Sequence, residues 1–262
     1  MRPIHSMLFI PAHKLDWVRK VARHGPDAVI PDLEDAVPPA LKDETRALTR
    51  VAIPLLRDMG IAPFVRINAW HEGGSADGMP LGSVGILPLP ETAIGLYDAR
   101  QLAAASRRCQ ALMALVGGPV SGDVSRAMGF LPTLECTEQR YLASKTVLDS
   151  RTGGASYPMA SIIGTRLDDL DAVRLLCRRA TALGFAGAVP IHPAHAGVAN
   201  EVFAPTPADI DHATGLLHTL ADAEAAGSGA VSYRGQMIDH AMRAQAQQIL
   251  ALARRRVLPP TA

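Results

Sequence analysis

The sequence predicts a parallel α/β fold, a TIM-type (β/α) barrel of seven strands that lacks one β/α unit, followed by a C-terminal helical lid. Three observations predict it. Short, wholly apolar segments alternate with amphipathic helical stretches, as expected of parallel strands covered on both faces. The length, 262 residues, fits the roughly 250 of a (β/α)₈ barrel with a small appendage. Between Asn68 and Val84, where a crossover helix belongs, lie four glycines and a proline with no helical period, too little for a packed helix. The barrel is assigned to residues 1–204 and the lid to 205–262.

The predicted strands are Met7–Ile10, Ala28–Pro31, Phe64–Ile67, Val84–Leu89, Ala111–Val116, Met159–Ile163 and Ala188–Ile191. Leu15, Val18 and Val21 have helical spacing, as do Leu41, Leu48, Val51 and Leu55, where Pro54 predicts a kink. Leu170, Val173, Leu176 and Leu183 repeat it before Gly184, a C-terminal cap. Thr206-Pro207 starts another helix, carried on by Ile210, Ala213, Leu217 and Leu220. The region from about residue 205 reads as two helices joined by Gly227-Ser228-Gly229 and an extended piece, Ala230–Tyr233.

Composition excludes several function classes. Hydrophobic residues are 48% and charged residues 19%, which rules out a disordered chain. A net charge of +1 gives no broad attraction to nucleic acid or an anionic membrane. Arg254-Arg255-Arg256 closes a helix and complements its dipole. Cys109, Cys136 and Cys177 are few, odd in number and far apart, which points to a reducing, cytoplasmic compartment. No apolar run approaches the ~18 residues of a membrane helix, so no membrane partner is expected.

Chemistry concentrates after the predicted strands, where barrel enzymes keep their sites. Asp32-Leu33-Glu34-Asp35 puts three carboxylates at one strand end; they repel one another unless a cation or donor compensates, or they serve a helix N-terminus before Pro38-Pro39. Arg66 ends the next strand and suits bidentate recognition of a carboxylate or thioester oxygen, or an ion pair with that cluster. Glu91 follows a third strand, and Asp123 lies in the loop Gly117–Asp123 after a fourth. Two carboxylates, completed by water and substrate oxygens, are a usual Mg²⁺ shell, although either alone also serves as a loop or cap residue. His192, in Pro190-Ile191-His192-Pro193, is a base, a ligand or a hydrogen-bonded structural histidine. The glycines do not form a phosphate loop, and no serine sits in a nucleophile elbow.

Taken in order, Ser6-Met7-Leu8-Phe9-Ile10-Pro11, Asp27–Val37, Val65-Arg66-Ile67-Asn68, Pro90–Gly95, Ser121-Gly122-Asp123, Ala188–Pro193 and Gly235–Asp239 resemble the citrate lyase β-subunit-like branch of the HpcH/HpaI aldolase superfamily. The resemblance spans nearly the whole chain, and Asp32-Leu33-Glu34-Asp35-Ala36-Val37 is its most specific element. It implies a TIM barrel, usually a homo-oligomer (trimer or hexamer), with Mg²⁺ on Glu91 and Asp123. Arg66 would contact the acyl substrate, with Gly122 and His192 beside it. Asp239 would belong to a lid closing over a neighbouring subunit's site as acid/base, in a catalytic set with Arg66, Glu34 and Asp35; locally it also reads as the N-cap of the final helix. The implied activity is cleavage or formation of a 3-hydroxyacyl-CoA such as citryl-CoA or malyl-CoA. The alternatives are a pyruvate-type aldolase on free keto acids, or an impaired barrel acting as an oligomer partner. Three departures stand out. No Pro-Lys-x-Glu-like strand lies between Arg66 and Glu91, His5 replaces the usual arginine, and the loop before Asp123 is long.

Overall fold

Met7, Leu8, Phe9 and Ile10 alternate between two apolar surroundings, which makes the first segment a strand buried on both faces. In a computed structural model of the chain, which describes residues 4–68, 85–115, 120 and 122–257, β1 (Met7–Pro11) leads to α1 (Leu15–Lys20), β2 (Ala28–Asp32), α2 (Lys42–Asp58) and β3 (Ala62–Pro63). Next come α3 (Ala93–Tyr97), α4 (Ala99–Ala104), β4 (Met113–Leu115), α5 (Asp123–Met128) and α6 (Arg140–Thr152). Then follow β5 (Met159–Ile162), α7 (Leu170–Leu183), β6 (Gly187–Pro190) and α8 (Pro193–Val202). β1-β2-β3 form one parallel sheet and β4-β5-β6 another. A parallel bridge between Ser6 and Ala188 links the two through β1 and β6.

One set of side chains unites both sheets. Met7, Ala28, Ile30, Met113, Met159 and Val189 form a single buried cluster on the inner face. On the outer face of the first sheet, Leu8, Ile10 and Val29 pack against Val18, Val21, Ala52 and Leu56 from the helical layer. An equivalent layer on the second sheet joins Ile162 and Ala188 to Leu176, Cys177 and Val198. Burial on both faces is why these strands read as unbroken apolar runs.

Two predicted strands are corrected by the structure, and proline is the reason. At Phe64–Ile67 there is only β3 just before it and a single bridge between Asp32 and Arg66. Phe64 and Arg66 donate to the carbonyls of Val29 and Pro31, and Leu33 donates back to Arg66, but Pro31 has no N–H to return to Phe64. The segment Val84–Leu89 is likewise reduced to the Ile86–Cys109 bridge, with Met113 donating to the carbonyl of Pro88. The described residues therefore hold six parallel strands and do not close a ring. The glycine-rich gap on which the seven-strand expectation rests, residues 69–83, lies outside the described residues, as does Val84. α2 continues through Pro54.

Residues from Ala204 onward form a separate compact unit. Thr206 caps α9 (Pro207–Ala225): its hydroxyl accepts from the Asp209 N–H, and the Asp209 carboxylate accepts from the Thr206 N–H. The extended piece expected at Ala230–Tyr233 is β7, but it has a partner that the sequence reading missed. β7 (Ala230–Tyr233) pairs antiparallel with β8 (Gln236–Asp239), and α10 (Arg243–Val257) follows. Arg234 (φ 50°) and Gly235 (φ 80°) make the two-residue turn, both left-handed as a type I′ hairpin requires. Ile238 anchors the hairpin among Ala213, Leu216, Leu220 and Ala246. Among the described residues, no helix is long and apolar enough to cross a membrane.

Candidate active site

β2 ends in Asp32, which is 2% exposed, and the Leu33 N–H bond to Arg66 fixes the end of the adjoining segment beside it. The two side chains meet as a fork. Arg66 Nε donates to Asp32 Oδ1 at 2.7 Å and Nη2 donates to Oδ2 at 2.5 Å. Asp32 also accepts the N–H groups of Glu34 (2.8 Å) and Ala36 (3.4 Å), so it shapes the loop that follows. That loop places Glu34 and Asp35 at 3.1 and 3.0 Å from Arg66 Nη1. The Phe9 ring, 5.0 Å from the guanidinium carbon, supports the arginine through a cation–π contact. Burial alone would lower the Arg66 pKa; the Asp32 hydrogen bonds and the charges of Asp32, Asp35 and Glu34 outweigh it and hold the cation fully charged.

Glu91 stands just before α3. Thr92 caps that helix by accepting from the Gly95 N–H at 3.1 Å, and Pro88 and Pro90 stiffen the approach. Glu91 is half-buried, and burial is the main reason that its pKa rises to about 7; Arg66 pulls it down, while Asp123, Glu34 and Asp35 push it further up. Glu91, Asp123, Glu34 and Asp35 thus share one electrostatic neighbourhood with the Arg66 guanidinium. Asp123 is the first residue of α5 and pairs with Arg126 at 2.5 Å. Gly122 precedes it, its N–H donating to the Ser125 hydroxyl at 2.9 Å.

The sequence-predicted residues fall into two groups. Arg66, Glu34 and Asp35 are in direct contact, and Glu91 and Asp123 act on one another electrostatically. His192 follows β6, at the same end of the linked sheets as Asp32 and Arg66, but bonds to none of them; its Nδ1 is buried without a hydrogen-bond partner. Asp239 lies in the second unit, where its carboxylate accepts from the Ala241 N–H at 2.9 Å and caps a turn of 3₁₀ helix. Asp32, which the sequence places in the acidic cluster offered to Arg66 but not in the catalytic set, is the carboxylate that takes the bidentate contact. Its signal was its place as the last residue of a strand, which aims a short carboxylate at the neighbouring strand end.

The donor set suits a hard divalent cation. All the candidate ligands are carboxylate oxygens, and Glu91, whose pKa burial raises to about 7, would give up its proton on binding the ion. Among the described residues no three such groups already stand in ligating geometry, so a cation at Glu91 and Asp123 would draw its other ligands from water and substrate.

Fold and site together define a parallel β/α enzyme whose strand ends carry an arginine–carboxylate centre. Residues 5–79 match the HpcH/HpaI aldolase/citrate lyase family. The citrate lyase subunit beta-like protein of Deinococcus radiodurans is 32% identical over 284 residues, covering 95% of this chain and 96% of that protein. The chain belongs to this family, whose relatives include carbon–carbon lyases such as the citramalyl-CoA lyase of Mus musculus, 26% identical over 295 residues, 96% of this chain and 86% of that one. A (3S)-malyl-CoA thioesterase of Cereibacter sphaeroides is 28% identical over 278 residues, 96% of this chain and 95% of that one. In fold the chain is similar to protein CitE of Mycobacterium tuberculosis, solved in complex with magnesium, acetoacetate and coenzyme A. The TM-score is 0.72 at 24% identity, over 96% of this chain and 98% of that one.

Proposed function

We propose that the protein is an Mg²⁺-dependent lyase that cleaves, or forms, a 3-hydroxyacyl thioester of CoA of the malyl, citramalyl or citryl type. The observation that carries this reading is the Asp32–Arg66 fork next to the half-buried Glu91. It places a fixed cation beside a carboxylate cluster at the strand ends.

Glu91 and Asp123 would hold the metal. When bound, it supplies Lewis-acid stabilisation of charge developing on a substrate oxygen. Arg66 orients the substrate's carbonyl or carboxylate: Asp32 engages Nε and one Nη2 hydrogen, which leaves the other Nη2 hydrogen directed to a ligand oxygen. Glu34 and Asp35, against Nη1, keep the guanidinium plane from turning. In the cleavage direction a base takes the proton from the 3-hydroxyl. The C2–C3 bond breaks, C3 becomes a ketone or aldehyde carbonyl, and the electron pair passes to the thioester as an enolate. Protonation at C2 then gives the shorter acyl-CoA. We assign the base to Asp239 of a neighbouring subunit in a homo-oligomer, a trimer or hexamer, with residues 205–262 as the lid. Gly122 and His192 contact the substrate. Closure of the parallel strands into a barrel is part of the same proposal, as is a cytoplasmic location, which the three free cysteines favour.

Hydrolysis of the thioester is the second reading, favoured by the malyl-CoA thioesterase relative. Incubation with malyl-, citramalyl- and citryl-CoA, followed by product analysis, separates the two. Acetyl-CoA with a 2-oxo acid supports the lyase; free CoA with the intact hydroxy acid supports hydrolysis and contradicts it.

A further inference from the structure

Two histidines three residues apart, His192 and His195, face each other at the start of α8. Their ring centroids are 5.2 Å apart and the planes are inclined at 58°. His195 is 1% exposed. Its Nε2 lies 3.1 Å from the carbonyl oxygen of Leu167, in the loop after β5. A carbonyl oxygen only accepts, so His195 Nε2 carries the hydrogen. In a neutral ring Nδ1 is then a bare acceptor. Burial, the main cause, lowers the His195 pKa against the bond to Leu167, which favours the neutral ring.

The Nδ1 atoms of both rings are buried and lack a hydrogen-bond partner. On rings whose centroids are 5.2 Å apart, two such atoms can satisfy each other in only one way: one donates and the other accepts. His195 is already committed as the acceptor. Two rings whose nitrogens face one another at about 2.9 Å have centroids near this separation, so a rotation of His192 about its side-chain bonds completes the contact.

We propose that His195 is a positioning residue that fixes His192 as its Nδ1–H tautomer. His192 Nδ1–H donates to His195 Nδ1, and His192 Nε2 is left as an acceptor at the strand ends. That polarity selects a ligand donor, an amide N–H or a hydroxyl, and disfavours a carboxylate or phosphate oxygen. A 3-hydroxyacyl pantetheine thioester carries both donor types. The ligand half of the inference rests on the substrate role proposed for His192; the tautomer half needs no ligand, so the two fail separately.

The test is long-range ¹H–¹⁵N NMR of the ¹⁵N-histidine-labelled full chain, which distinguishes the two ring nitrogens of each histidine. His195 is expected as the Nε2–H form and His192 as the Nδ1–H form. His195→Phe fills the buried space without an acceptor; it should return His192 to the Nε2–H form and weaken binding of the probe, CoA, several-fold. His195→Gln, which can both donate to Leu167 and accept from His192, should restore the Nδ1–H form and the affinity. An Nε2–H signal from His192 in the unaltered protein overturns the proposal even if His195→Phe does not fold. An unchanged His192 spectrum in folded His195→Phe overturns it equally. Normal tautomers with unchanged CoA affinity overturn only the ligand assignment and leave the lyase reading standing.

Discussion

At the scale of single residues, the centre depends on how Asp32 and Arg66 are paired. Asp32 is almost wholly buried, so removing it leaves a guanidinium without its principal partner in a largely dry place. Asp32→Ala is expected to cost about 3 kcal/mol, the usual range for breaking a buried pair, read as a lower urea midpoint. Arg66→Lys keeps the charge but cannot reproduce the fork; it should lower kcat/KM about 10²-fold with little loss of stability. Equal losses of stability and activity in both variants would reduce the pair to a structural role.

Glu91 gives a pH dependence at the same scale. Its folded pKa, about 7, lies above the ordinary 4.5. Between those values the folded metal-free chain keeps a proton that the unfolded chain has lost, so stability falls as pH rises from 4.5 to 7. Mg²⁺ must displace that proton. Its affinity should therefore be about tenfold weaker at pH 6 than at pH 8, measured as calorimetric binding constants at the two values. Equal constants would remove Glu91 from the metal site.

At the scale of elements, the hairpin that carries Asp239 offers a local test. Gly235 holds φ 80° in the turn, a conformation that a β-branched residue resists. Gly235→Val should destabilise the second unit by about 1 kcal/mol or more, measured by thermal unfolding; no change would contradict the turn assigned here. The same hairpin shows where sequence reading runs short. Gln236-Met237-Ile238-Asp239 buries only Ile238, so it has no apolar run, and its partner β7 fixes it through backbone bonds. The 64–67 and 84–89 segments erred the other way. Their apolar runs are those of strands, but Pro31 and Pro88 remove the donors that a continuous ladder needs. By contrast, β1, β2, β5 and β6, and the Gly184 and Thr206 caps, were legible because burial on both faces and cap chemistry leave direct marks in sequence. In the site, the acidic cluster and Arg66 were legible as charges at strand ends. That Asp32 takes the bidentate contact, leaving Glu34 and Asp35 at Nη1, depends on side-chain directions that sequence does not carry.

At the scale of the whole molecule, the acid/base role proposed for Asp239 requires more than one chain per site. Asp239 caps its own turn, which does not prevent its second carboxylate oxygen from serving a neighbouring chain. Asp239→Ala and Glu91→Ala should each be inactive alone. Mixed and allowed to exchange subunits, they should recover partial activity, because some sites then combine an intact lid with an intact carboxylate centre. No recovery in oligomers shown to be mixed would leave Asp239 as a cap. The most direct test of the central claim is malyl-CoA cleavage, followed by trapping the released glyoxylate, with Mg²⁺, with EDTA and with Glu91→Ala. Glyoxylate is expected only from the unaltered protein in Mg²⁺. Cleavage that persists in EDTA or in Glu91→Ala, or no glyoxylate under any condition while free CoA appears, would contradict it.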